Sequence, residues 1–283
     1  MSAYRNVSIH IFAVALLQLC GGILGIAAPL GLEALGLDNA EIGVVAALFA
    51  AGFMAGAWSA PQAILAFGNI RVFAAASALL AAGSLLMFLA PHWAAWSGIR
   101  LVQGLAFAWM FASLESWLSA ATPADSRGGV LGLYHVVAKA ALLTGPFLLV
   151  APAPLSAQPY VWAAVFAVLA LVPVCLTRSG EPQRHGNRAM GPVTMLKLAP
   201  AALSAAFFAG MINSGVLALL PVYAQETLTT TDAASGAALA MAAAWLGGLI
   251  SQWPAGRISD RVDRRTVIAG MGLVALLATS ALA

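Results

Sequence analysis

Gly256-Arg257-Ile258-Ser259-Asp260-Arg261-Val262-Asp263-Arg264-Arg265 is the densest charge cluster in the chain, and long apolar segments flank it on both sides. One segment ends near Pro254 and the other begins near Thr266. A bilayer crossing needs about 20 apolar residues, roughly the length of each flank. The charged run therefore reads as a tight turn against one membrane face. Its arginines place it on the cytoplasmic side, where basic loops are retained. Gly256 lets the backbone approach a neighbour closely. Asp260 has two natural partners: Arg264, one helical turn on, or the free N–H groups of a nearby helix start. A short, self-paired, charged turn suits a gate between rigid helix bundles.

Composition extends this reading to the whole chain. Of 283 residues, 62% are hydrophobic and 8% charged, and the mean hydropathy is +0.93. A soluble domain carries about a quarter charged residues, so this is a polytopic membrane protein. The net charge of +3 gives no footprint for nucleic acid, because the positions of the charges matter more than their sum. Cys20 and Cys175 both fall in apolar segments and read as small core residues rather than a disulfide or metal pair. The apolar run after Arg5 reads as an uncleaved first span, since many spans follow it.

Nine candidate spans emerge, at about 8–30, 42–66, 71–90, 93–121, 128–150, 160–177, 201–224, 233–255 and 266–283. With the N-terminus inside, Arg5, Arg71, Arg127, Arg178, Arg184, Arg188, Lys197 and the arginines of 257–265 are all cytoplasmic. The outer loops then hold Glu33, Asp38, Glu41, Glu226 and Asp232, with no Lys or Arg. That sorting supports both count and orientation. Trp58, Trp93, Trp96, Trp117, Tyr160, Trp162 and Tyr223 fall near span ends, where an interfacial aromatic belt is expected.

The polar, basic stretch 178–200 is rich in helix breakers and reads as a cytoplasmic linker. It divides a six-span bundle, 1–177, from a partial second bundle, 201–283. A faint repeat relates Pro29 through Gly43 to Pro61 with Pro221 through Gly236 to Pro254, which suggests two similar halves. The last residue, Ala283, falls inside the ninth span, so a truncated chain lacking three further spans is expected.

Several of these segments resemble a known family. Gly256-x-Ile258-Ser259-Asp260-Arg261-x-x-Arg264-Arg265 resembles the loop signature of the major facilitator superfamily of secondary transporters, with Asp263 where that family usually has Gly. Arg100-Leu-Val-Gln103-Gly104 resembles its fourth-helix signature, R-x-x-Q-G. Glu115-Ser116-Trp117-Leu118 and Arg127-Gly128-Gly129-Val130-Leu131-Gly132-Leu133-Tyr134 resemble the YcaD-like branch. The resemblance implies an all-α helical bundle that moves a small solute by alternating access, coupled to an ion such as a proton. It also implies that Arg100 faces the central cavity and that span seven lines it. The second-half loop would dock Asp260 on the start of span five, at Arg127-Gly128-Gly129, and hold the outward-facing state.

Each candidate for chemistry has a plainer reading beside it. An intramembrane arginine costs about 3 kcal/mol to insert and faces a wet cavity or a partner, so Arg100, with Gln103, is assigned to the pathway. The plainer alternative is an arginine bonded to carbonyls or snorkelling outward. Glu115 is the one acid well inside a span: a proton carrier, or a carboxylate holding spans four and five together. His135 and Lys139 are four apart and share a helix face. With Arg100 they would give a cavity of positive potential, inviting an anionic or carbonyl-rich solute. His135 alone is as readily a packing residue. Asn213, beside Ser214 and Gly215, is a mid-membrane solute contact or an interhelical hydrogen bonder. Trp109 and Trp245 read as core, Gly145-Pro146 as a helix bend, and Gly52-x-x-x-Gly56 as a close helix-packing face.

The expected function is thus secondary transport of a small polar or anionic solute, without a bound cofactor, in a bacterial-type inner membrane. No Gly-rich phosphate loop suggests ATP drive. One rival is a non-transporting remnant or sensor, motivated by the missing last spans. The other, an intramembrane enzyme, is disfavoured because H-E-x-x-H and G-x-S-x-G are absent.

Overall fold

An apolar stretch in lipid finds no water for its N–H and C=O groups, so it closes them within a helix. The computed structural model describes residues 2–122, 127–148, 155–176, 194, 197–198, 200–227, 233–259 and 262–280, and no strand occurs among them. The helices are α1 (Ser2–Ala34), α2 (Asn39–Phe67), α3 (Asn69–Leu89), α4 (Trp93–Ala121), α5 (Arg127–Thr144), α6 (Ala157–Cys175), α7 (Pro200–Thr227), α8 (Ala233–Ser259) and α9 (Arg264–Ser280). A 3-10 turn, Gly145–Leu148, continues α5 at the expected bend.

Among the described residues, seven helices, α1 to α7, are long and apolar enough to cross a membrane. The other two expected spans correspond to helices with shorter apolar runs, Gly236–Ser251 in α8 and Arg265–Leu277 in α9. Most of the linker expected at 178–200 lies outside the described residues.

The turns follow local chemistry. Gly36 at φ 85° and Gly68 at φ 89° adopt a left-handed backbone that a side chain would strain. Asp38 caps α2 reciprocally. Its carboxylate accepts from the Glu41 N–H at 2.8 Å, and the Asp38 N–H donates to Glu41 Oε2 at 3.0 Å. Asp38→Ala should therefore cost about 1 kcal/mol, read as a lower thermal midpoint in detergent. An unchanged midpoint would mean that the cap contributes nothing.

α1 is apolar on every side and occupies the centre, which is where such a helix belongs. It packs on α5 and α6, touches α2 and α4, and meets α7 and α8. Leu17, Ile23 and Leu24 are fully buried there. α2 lies along α4, and α3 bridges α4 and α6. The α2–α4 contact is close because both helices present glycine. A Cβ on Gly52 would collide with the Leu101 carbonyl oxygen, and one on Gly104 with that of Phe49. Exposed side chains such as Met54, Leu89, Phe207 and Leu273 are apolar, as a lipid-facing surface requires.

The aromatic belt is only partly that. Trp58, Trp93, Trp162 and Tyr223 are exposed, whereas Trp96, Trp117 and Tyr160 are buried. Trp96 donates from Nε1 to the Met87 carbonyl at 2.9 Å and meets Tyr160 edge-on, with ring centroids 5.7 Å apart. These residues tie α3, α4 and α6 together. Position near a helix end does not reveal which way a ring points.

Candidate functional site

Six helices, α1, α2, α4, α5, α7 and α8, surround a cavity of about 430 Å³. That volume falls in the range of about 300–1,000 Å³ usual for small-molecule sites. Small residues of α1, including Gly21, Gly25 and Ala28, form part of its wall and open space for it. Polar groups reach it from separate helices: Gln18 from α1, Arg100 from α4, Lys139 from α5, and Asn213 with Ser214 from α7.

The R-x-x-Q-G segment acts as a unit here. Gly104 lets α2 press its backbone against α4, which brings Phe49 beside Arg100. The Arg100 guanidinium carbon then lies 4.2 Å from the centre of the Phe49 ring. Its Nη1 donates to Gln103 Oε1 at 3.1 Å. Gln103 is buried and donates onward to Ser84 Oγ at 3.4 Å, and Ser84 donates to the Leu80 carbonyl at 2.8 Å. Gln103 thus positions Arg100 from behind and does not itself line the cavity. Across the cavity, Lys139 Nζ lies 4.5 Å from the Trp245 ring centre. This contact joins α5 to α8. A cation over a ring face is attracted by the quadrupole, by about 2 kcal/mol when desolvated.

Three of the expected pathway residues, Arg100, Lys139 and Asn213, therefore come together. Glu115 and His135 do not. Both are exposed and neither lines the cavity, although Glu115 is within electrostatic reach of Tyr134 on α5. His135 shares a helix face with Lys139 but turns away one turn earlier, packing its ring edge-on to Tyr134 at 5.2 Å. In the charged turn, Asp260 and Arg261 lie outside the described residues. Gly256 and Arg264 are helical, and Arg265 is exposed at the start of α9, its N–H donating to Asp263 Oδ1 at 3.0 Å. The expected docking of Asp260 on Arg127 and Gly128 also lies outside the described residues.

Two contributors escape sequence reasoning. Trp245, read as core, lines the cavity, and so does Gln18. An amide in the middle of a largely apolar span is the signal that points to Gln18. Nothing in sequence separates Trp245 from Trp109, whose Nε1 donates to Ser59 at 2.9 Å within the α2–α4 contact.

A family model described as Major Facilitator Superfamily matches residues 11–283. An uncharacterized MFS-type transporter of Yersinia pseudotuberculosis is 28% identical, covering 100% of this chain and 74% of that protein. The uncharacterized MFS-type transporter YcaD of Escherichia fergusonii is 26% identical with the same coverage, 100% and 74%. Among solved structures, the nucleoside transporter NupG aligns at TM-score 0.71 and 12% identity, over 90% of this chain and 68% of that one. A bacterial homolog of the human lysosomal transporter Spinster, inward-facing and occupied, aligns at TM-score 0.69 and 15% identity, over 93% and 63%. At such identities the structural likeness speaks for the fold.

Proposed function

We propose that this chain, which belongs to the Major Facilitator Superfamily, is a secondary active transporter carrying a small solute through its central cavity by alternating access. Membership makes it a multi-pass membrane transporter rather than an enzyme. One observation carries the finer reading: Arg100, Lys139 and Asn213, from three helices, converge on one cavity. In this reading 1–177 is one rocking unit, 178–200 the linker and 201–283 part of the other, with the N-terminus in the cytoplasm of a bacterial cell. The Lys139–Trp245 contact spans the seam between them and must break when the units rock apart. Asp260, docked on the start of α5, closes the cytoplasmic side, with Gly256, Arg261, Arg264 and Arg265 shaping that turn.

A proton is the coupling ion in this reading, and Glu115 is its carrier, with exposed His135 on the next helix as a second titratable group. Glu115 is fifteen positions from Arg100, or roughly 22 Å along α4. Proton and solute then act on one rigid helix from different depths, which is a physical route for coupling. Glu115→Gln should abolish proton-driven accumulation, by about tenfold or more, while exchange down a gradient persists. Proteoliposomes with and without a pH gradient measure both. Unchanged accumulation would remove Glu115 from the pathway. A chain that binds solute but gives no flux in either assay would favour a sensor derived from a transporter.

A further inference from the structure

Among the described residues the cavity carries two cations and no acid. Arg100 and Lys139 line it, and among the described residues no Asp or Glu lines it and no carboxylate pairs with either. Within the same set, Arg100 has Gln103 and the Phe49 ring face as direct contacts, with the Cys20 thiol and the Tyr160 hydroxyl in electrostatic reach, and Lys139 has the Trp245 ring face. A ring quadrupole offsets only part of what a cation loses on leaving water. The unmet remainder is a standing preference for an anion, in a setting where low dielectric magnifies it.

The rest of the wall limits the anion's shape. Phe49, Phe53, Phe107 and Phe111 form one aromatic side built from α2 and α4. Phe49 meets Phe107 edge-on at 5.9 Å, and Phe107 stacks with Phe111 at 6.3 Å. Such a wall favours a flat ring, which stacks offset or edge-on and gains beyond its buried area. Neutral hydrogen-bonding side chains among the described lining residues are Gln18, Asn213, Ser214 and the Trp245 indole N–H. A sugar, with a hydroxyl on nearly every carbon, would leave most of them unpaired against phenyl rings.

We infer that the solute is an aromatic organic anion, its charge held between Arg100 and Lys139 and its ring against the phenylalanine wall. This rests on the transport reading of the same cavity and narrows it to a substrate class. The anion takes over the cations from Phe49 and Trp245. Since Lys139–Trp245 joins α5 to α8, an anion that draws Lys139 away loosens the seam between the two units. Solute binding and the start of rocking thereby become one event.

The test uses the purified 283-residue chain and 2-naphthoate, with 2-naphthylmethanol, cyclohexanecarboxylate and uridine as comparators, by titration calorimetry. 2-Naphthoate should bind about tenfold or more tighter than the neutral alcohol, and detectably tighter than the alicyclic acid. Arg100→Gln and Lys139→Gln should each erase most of the preference for charge. Arg100→Lys should keep part of it, which guards against a merely unfolded variant. Equal binding of the alcohol or of uridine, or a charge preference that survives both glutamine variants, would overturn the assignment. 2-Naphthoate binding without flux in proteoliposomes would remove the transport reading and leave the ligand class standing. Flux of uridine without 2-naphthoate binding would do the reverse.

Discussion

Arg100→Gln is expected to cut solute flux by about a hundredfold while leaving the chain folded. Truncating a charge that contacts a ligand in a desolvated site costs about 2–5 kcal/mol, and 1.4 kcal/mol is tenfold. Stability should not fall with it. Among the described residues Arg100 makes no ion pair that its removal would orphan, and the Gln103–Ser84–Leu80 chain remains intact behind it. An intramembrane arginine costs about 3 kcal/mol to insert, which offsets the lost contacts to Gln103 Oε1 and the Phe49 ring, so the thermal midpoint should hold. Flux in proteoliposomes and thermal unfolding in detergent separate the two effects. Normal flux in a folded Arg100→Gln chain would mean that the central cation is structural.

Gly104→Val should produce the largest loss of folded protein of any single change near the site. A Cβ there meets the Phe49 carbonyl oxygen in collision and lies 2.7 Å from the Phe53 nitrogen. Both are backbone atoms of α2, so neither can rotate away. The helices must separate, with a cost of about 3 kcal/mol or more for overpacking a close contact. Phe49 would leave Arg100 at the same time, so any protein that survives should bind solute poorly. Gly98→Ala on the same helix is the control, because a Cβ at that position would meet nothing within 4 Å. It should be neutral or slightly stabilising, since alanine suits a helix interior better by up to about 1 kcal/mol. If Gly104→Ala and Gly98→Ala unfold alike, the close approach of α2 and α4 is not what holds the site.

Much of the architecture is legible in residue order, for reasons of solvent. Apolar runs of span length must be helices, because lipid offers the backbone no partners. The breaks at Gly36, Gly68 and the charged turn interrupt those runs visibly. Arg100 and Lys139 are conspicuous for a related reason: a charge inside an apolar run needs a destination. Asn213 stands out by the same logic. Glu115 and His135 meet the same criterion, yet the structure leaves both outside the cavity. Depth along a helix follows from counting residues, but the direction of a side chain around the axis depends on which neighbour packs where.

The sequence alone thus determined helices, membrane residence and the short set of charges that must have a purpose, because solvation acts on each segment separately. Only the tertiary structure decided which of those charges meet. That decision rests on close packing, on Gly104 admitting the backbone of α2 and α1 filling the centre, and it set Phe49 under Arg100 and Trp245 under Lys139. Those contacts join residues 51 and 106 positions apart in the chain, a distance at which no local pattern carries information.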